Sequence, residues 1–194
     1  MTILHVAVDL ETMGKDPGCA LMSLGAAFFT LGNPPNDDTT FYHNIDLQSC
    51  VDVGLNIDPS TVYWWMEQGA QARSAISNRA AAHNVRKVLH AFNSWITGVM
   101  NSTEAYDVMV WGFGALSDNA WLREAYRACG IEPVWQFRND LCLRTLATVI
   151  PWTSEKSKPR ISHHARYDAL SQADWLYGFL TYLNGLDPAQ EAVK

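Results

Sequence analysis

Three strand-like segments open the chain, and the turns between them are too short to hold a crossover helix. Ile3 to Leu10 is an apolar run that reads as a buried strand, and Gly14, Asp16, Pro17 and Gly18 mark the turn after it. Leu21 to Leu31 is a second strand candidate, stopped by Gly32, Asn33, Pro34 and Pro35, and Thr39 to Leu47 alternates as a third. Strands joined this closely must pair antiparallel, so the fold starts as a meander.

The rest of the sequence changes to helical spacing. Asp58-Pro59-Ser60-Thr61 is a helix-start signal, with Ser60 or Thr61 as cap, followed by helical stretches over Val62 to Gln68 and Ala70 to Ile76. From Asn84 to Met100, Val85, Val88, Leu89, Phe92, Trp95, Ile96 and Val99 recur as one face of an amphipathic helix. Asp107 to Trp111 predicts a short strand, Ser117 to Cys129 a helix ended by Gly130, and Val134 to Phe137 a weak strand. Asn139 to Ile150 predicts a helix stopped by Pro151, Trp152 to Ser162 is polar and reads as mobile, and a last helix runs from Ala165 to Leu183. A meander followed by alternating helices and strands predicts one α/β domain over residues 1–194, a mixed sheet with helices packed on it.

Composition excludes several classes of function. With 48% hydrophobic and 18% charged residues the chain is globular rather than disordered. Acids outnumber bases, 20 to 14, for a net charge of −6, so a generally basic nucleic-acid coat is excluded. A local site where bound metal reverses an acidic field is not. Cys19, Cys50, Cys129 and Cys142 are scattered without zinc spacing and read as reduced thiols of a cytoplasmic protein. The N-terminal apolar run has no basic residues ahead of it and acids within it, unlike a signal peptide. No apolar stretch approaches the roughly 18–20 residues that span a bilayer, so no membrane partner is expected.

The residues that carry chemistry are acids. Asp9 and Glu11 lie two apart at the end of the first strand, so both point to one face. Two carboxylates crowded there repel unless a cation lies between them, and they are hard oxygen donors suited to Mg²⁺ or Mn²⁺. Alone, such a pair also describes an ordinary solvated turn. Asp118 stands where Trp111-Gly112-Phe113-Gly114 leads into a helix, and by itself reads equally as a helix cap. His163 precedes Asp168 by five residues at the start of the last helix, which lets a loop imidazole and a first-turn carboxylate share one pocket. Together they suit phosphodiester hydrolysis, in which two divalent ions about 3.5–4 Å apart clamp the attacking and leaving oxygens and a His takes the proton of the attacking water.

The order and spacing of Asp9, Glu11, Asp118, His163 and Asp168 resemble the DEDD superfamily of 3′→5′ exonucleases, in the subgroup with His in the third motif (DEDDh). Ser60-Thr61-Val62-Tyr63-Trp64-Trp65 and Arg144-Thr145-Leu146 are similar to segments of a compact bacterial and phage branch of exonucleases and exoribonucleases. The resemblance implies an RNase H-like fold with a mixed five-stranded sheet flanked by helices. It implies two Mg²⁺ or Mn²⁺ ions held by Asp9, Glu11, Asp118 and Asp168, with Asp9 bridging and Asp118 on the second ion. His163 would activate the water. The implied partner is the 3′ end of single-stranded RNA or DNA, the product a nucleoside 5′-monophosphate, and the location the bacterial or host cytoplasm. Some relatives pair as homodimers. Glu11 would contact the terminal 3′-hydroxyl, the Thr12–Met13 backbone would lie beside the last nucleotide, and Met13 would wedge against its base.

His164 is expected to be exposed or to cap the helix. Trp64 and Trp65 offer faces for stacking unpaired bases, although at least one is expected in the core. Arg138, Arg144, Lys156, Lys158, Arg160 and Arg166 flank the third motif and are either phosphate contacts or plain surface charge. Gly112-x-Gly114 between strand and helix is too short a match for a dinucleotide fingerprint. Two other readings use the same fold: a non-catalytic nucleic-acid-binding module, and a hydrolase of short oligonucleotides or nucleotides.

Overall fold

The computed structural model describes residues 2–114, 116–149 and 163–185. In chain order they form β1 (Thr2–Thr12), β2 (Leu21–Phe29), β3 (Thr40–Ile45), α1 (Leu47–Asp52), α2 (Pro59–Glu67), α3 (Ala70–Ser77) and β4 (Ala82–His83). Then come α4 (Val85–Thr103), β5 (Ala105–Gly112), α5 (Asp118–Cys129), β6 (Asp140–Cys142), α6 (Leu143–Val149) and α7 (Ala165–Leu183). The sheet has six strands in the order β4-β3-β2-β1-β5-β6, one more than the expected five. β1 pairs antiparallel with β2, and β2 antiparallel with β3, as the short turns require. On its other edge β1 pairs parallel with β5, and β5 parallel with β6. The extra strand is β4, whose two residues pair parallel with Asn44 and Ile45. A strand that short leaves no periodic trace in the sequence.

β1 is apolar on both sides because both sides are covered. Leu4, Val6, Val8 and Leu10 face α4 and α5 in the larger core, with Val88, Leu89, Phe92, Ile96, Leu122 and Tyr126. Ala7 belongs to the opposite face, where Ala27, Phe29 and Trp111 meet Ala173, Leu176 and Phe179 of α7. Strand alternation puts Asp9 and Glu11 on this α7 side.

One glycine sets how closely α7 approaches. Gly25 lies opposite Asp9 on β2, and a Cβ there would collide with the Ala165 carbonyl and the Arg166 amide. The first turn of α7 therefore rests directly on the sheet beside Asp9, which only a residue without a side chain permits.

Two expectations are corrected. Val134 to Phe137 is not a strand. Trp135 is buried against Phe92 and Tyr126, and its Nε1 donates to Asp140 Oδ1 at 2.7 Å, so the apolar character there serves the core rather than a ladder. The edge strand is Asp140–Cys142, and the helix expected from Asn139 is confined to Leu143–Val149 within the described residues. Asn139 explains the shift: its Nδ2 donates to the Val108 carbonyl and to Asp107 Oδ1, tying the chain to β5 before any helix can start. The cap of α2 is Asp58, not Ser60 or Thr61, with its carboxylate accepting from the Ser60 amide at 2.8 Å and Pro59 in the first helical position. The polar stretch from Trp152 to Ser162, with Lys156, Lys158 and Arg160, lies outside the described residues.

Candidate active site

The end of β1, the mouth of the β5–α5 turn and the first turns of α7 meet in a cleft of about 650 Å³. Asp9, Glu11, Asp118, His163 and Asp168 all line it. Asp9, Glu11 and Asp168 each offer a ligand oxygen, and these oxygens lie within 4.8 Å of one another. Asp168 is held in place by its own helix start, accepting from the His164 amide at 3.0 Å.

Asp118 is used differently. It is buried, and its carboxylate accepts from the Leu10 amide at 3.2 Å through Oδ1 and from the Phe113 amide at 3.0 Å through Oδ2. It thereby ties the end of β1 to the end of β5 and stands next to the three gathered acids rather than among them.

The electrostatics of the cluster are unfavourable without a cation. Burial, then repulsion from Asp118, Glu11 and Asp168, holds the Asp9 carboxyl well above the usual range, with a hydrogen bond from Gln172 working against them. Glu11 is pushed up to about 8 by burial and by the charges of Asp168 and Asp118. Burial also raises Asp118 and Asp168, opposed in each by amide hydrogen bonds. Oxygen donors this close together, each resisting ionisation, fit a hard divalent cation such as Mg²⁺ or Mn²⁺.

His163 is exposed at the cleft with a left-handed backbone (φ 59°), and the edge of Trp64 packs on its ring at 5.2 Å. His164 occupies the cap position of α7, as expected, but is half-buried between Tyr42 and Tyr167 rather than exposed. The tryptophan pair is split. Trp65 is core, its Nε1 donating to the Thr12 carbonyl at 2.9 Å, and Trp64 is 39% exposed.

Thr12 and Met13 are not laid open to a ligand. The Thr12 hydroxyl donates to the Gly14 carbonyl, the Met13 amide donates to Ala20, and the Met13 carbonyl accepts from the Asp58 amide. Met13 is buried in the larger core and is not among the residues that line the cleft. Arg166 is turned to the edge of the sheet, where it donates to Thr40 Oγ1 and the Asp37 carbonyl.

Leu10, Phe113, Ser117, Trp121, Arg144 and Gln172 complete the cleft. Gln172 donates through Nε2 to Asp9 Oδ1 at 2.8 Å. Its signal in the sequence is its position, one helical turn after Asp168. Arg144 lines the cleft with its guanidinium 5.0 Å over the Phe113 ring, and Trp121 closes another side.

A family model described as the 3′-5′ exoribonuclease Rv2179c-like domain matches residues 4–179. The chain belongs to this family. The Rv2179c-like domain has a mixed α/β sheet flanked by helices of the DEDD and RNase H-like kind. It carries a 3′→5′ exonuclease-type fold with an acidic cluster able to hold metal. Its fold is similar to the nuclease domain of 3′hExo, a DEDDh family member solved with rAMP. The TM-score is 0.55 at 8% identity, over 95% of this chain and 93% of that one. It is also similar to cell-death related nuclease 4 (CRN-4), with a TM-score of 0.51 at 10% identity over 92% of this chain. The chain spans 64% of the length of that nuclease. No curated protein matches. Among the described residues no helix is long and apolar enough to cross a membrane.

Proposed function

We propose that this Rv2179c-like domain is a DEDDh-type exonuclease that removes nucleotides singly from the 3′ end of single-stranded RNA or DNA. The observation that carries the reading is the gathering of Asp9, Glu11 and Asp168 oxygens within 4.8 Å in a cleft that also holds His163. RNA is the first substrate to try, since the family is described as exoribonuclease.

Asp9, Glu11 and Asp168 would hold Mg²⁺ or Mn²⁺, with Asp118 serving a second ion. The bound ions would supply positive charge that acidifies a water and stabilises the departing oxygen. The chain's own groups do the rest. His163 takes the proton from the water whose oxygen attacks phosphorus. The bond from phosphorus to the 3′ oxygen breaks, the shortened strand keeps a 3′-hydroxyl, and a nucleoside 5′-monophosphate leaves. Trp64 presents an exposed aromatic face next to His163 for an unpaired terminal base. Arg144 brings a cation to a cleft lined by four acids and is placed to meet a phosphate. A homodimer belongs to the same reading, and sedimentation of the purified chain tests it.

The deciding experiment incubates matched 5′-labelled single strands of RNA and DNA with Mn²⁺ or with EDTA, beside Glu11→Ala. A ladder shortening from the 3′ end, absent in EDTA and in the variant, is the expected result. No shortening of either strand by folded, metal-loaded protein sinks the proposal.

A further inference from the structure

We propose that Gln172 is a positioning residue of the acid cluster, its side-chain amide orienting the Asp9 carboxylate toward the bound cation. The inference rests on the metal-dependent reading of the site and adds to it a residue outside the five motif positions.

Gln172 lies on α7 one turn beyond Asp168 and lines the same cleft as Asp9, Glu11, Asp118 and Asp168. Its Nε2 donates to Asp9 Oδ1 at 2.8 Å, and among the described residues no other side chain donates to that carboxylate. A bond to one carboxylate oxygen fixes the rotamer and leaves the other free to bind. With Nε2 on Asp9, the Oε1 of the amide faces away from it. That Oε1 is buried and has no hydrogen-bond partner among the described residues. A buried acceptor left open is costly, and for packing alone an apolar side chain of the same size would serve better. A water within the cleft would supply its donor. One end of Gln172 thus orients a metal-binding acid, and among the described residues it is the one side chain that does so. Partners that orient metal-binding side chains act in this way, and their loss weakens the metal rather than the fold.

The test titrates Mn²⁺ calorimetrically into metal-free wild type, Gln172→Ala, Gln172→Met and Asp9→Asn, and records melting in EDTA for each. Gln172→Met keeps the volume and removes the donor, so it guards against a packing defect in Gln172→Ala. Both Gln172 variants are expected to bind Mn²⁺ about 10- to 100-fold more weakly, Gln172→Met with no loss of metal-free melting temperature. On labelled RNA at saturating Mn²⁺, kcat should fall with KM unchanged, because the amide touches the acid and not the strand. Mn²⁺ affinity within about twofold of wild type in both variants overturns the inference while leaving the site reading intact, provided Asp9→Asn has lost the metal. Wild-type Mn²⁺ affinity in Asp9→Asn instead overturns the site reading, and the role of Gln172 with it.

Discussion

At the scale of single residues, the four acids of the cleft divide into two kinds. Asp9, Glu11 and Asp168 crowd one another, whereas Asp118 is an acceptor for two backbone amides. Neutralising one of the first group removes repulsion, and truncating Asp118 strands the Leu10 and Phe113 amides. Asp9→Asn should therefore melt at a higher temperature than wild type in EDTA. Asp118→Ala should lose about 1–3 kcal/mol, read by urea denaturation. Both should lower turnover by about 10³-fold or more. Equal destabilisation by the two changes would contradict the division. The acids themselves were legible from spacing, but the division was not, because it depends on which distant amides end up against Asp118. The surroundings of Met13 were hidden for a similar reason: the sequence shows an apolar residue after the acids, and only packing shows it buried in the core.

Among the elements, the contact between β2 and α7 matters most, because it brings Asp168 to Asp9 and Glu11. Gly25 permits it, with no room for a Cβ against the Ala165 carbonyl and Arg166 amide. Gly25→Ala is expected to push the start of α7 off the sheet, cost about 1–3 kcal/mol or more, and weaken Mn²⁺ binding, measured by melting and calorimetry. Wild-type metal affinity in Gly25→Ala would show that the site tolerates displacement of the helix. The long helices were legible from their periodicity. α4 starts one residue inside the expected range, capped by the Asn84 side chain on the Arg86 amide, and α7 has the expected ends. The short edge strands were not legible, since β4 has two residues and β6 three, and neither is long enough for the alternation to repeat.

Over the whole molecule, buried acids and buried histidines shape the pH dependence of stability in opposite directions, and Glu11 and His5 represent the two kinds. Glu11, at about 8 in the folded chain against 4.5 as a free group, carries a proton in the fold that the unfolded chain has released. Its contribution is complete below pH 4.5 and is lost as pH rises toward 8. His5 works in reverse. Stacked on Phe29 and accepting from Trp111 Nε1 at Nδ1, it is lowered by burial from 6.5 to about 4. Its contribution is present above pH 6.5 and is lost as pH falls toward 4, on the order of 3 kcal/mol. Between pH 6.5 and 8 the His5 contribution is complete while that of Glu11 is being lost, so metal-free protein should melt at progressively lower temperature across that range. Saturating Mg²⁺ should remove the decline, because cation replaces proton, and the melting gain from Mg²⁺ should grow with pH. A metal-free melting temperature that is flat or rising over this window would count against an uncompensated carboxylate cluster.

The sequence by itself determined what repeats locally. Alternation along β1 puts Asp9 and Glu11 on one face, and the five-residue spacing of His163 and Asp168 puts both at the start of one helix. The short turns force β2 to run antiparallel to β1. These follow from backbone periodicity and reach, which need no knowledge of distant neighbours. Tertiary structure decided the rest: that β5 joins the far edge of β1, that Trp65 is core and Trp64 exposed, and that Gln172 touches Asp9 across 163 positions of chain. Each of those depends on which surfaces meet when the helices close over the sheet. A local pattern shows that a face is apolar or acidic, but not what will lie against it.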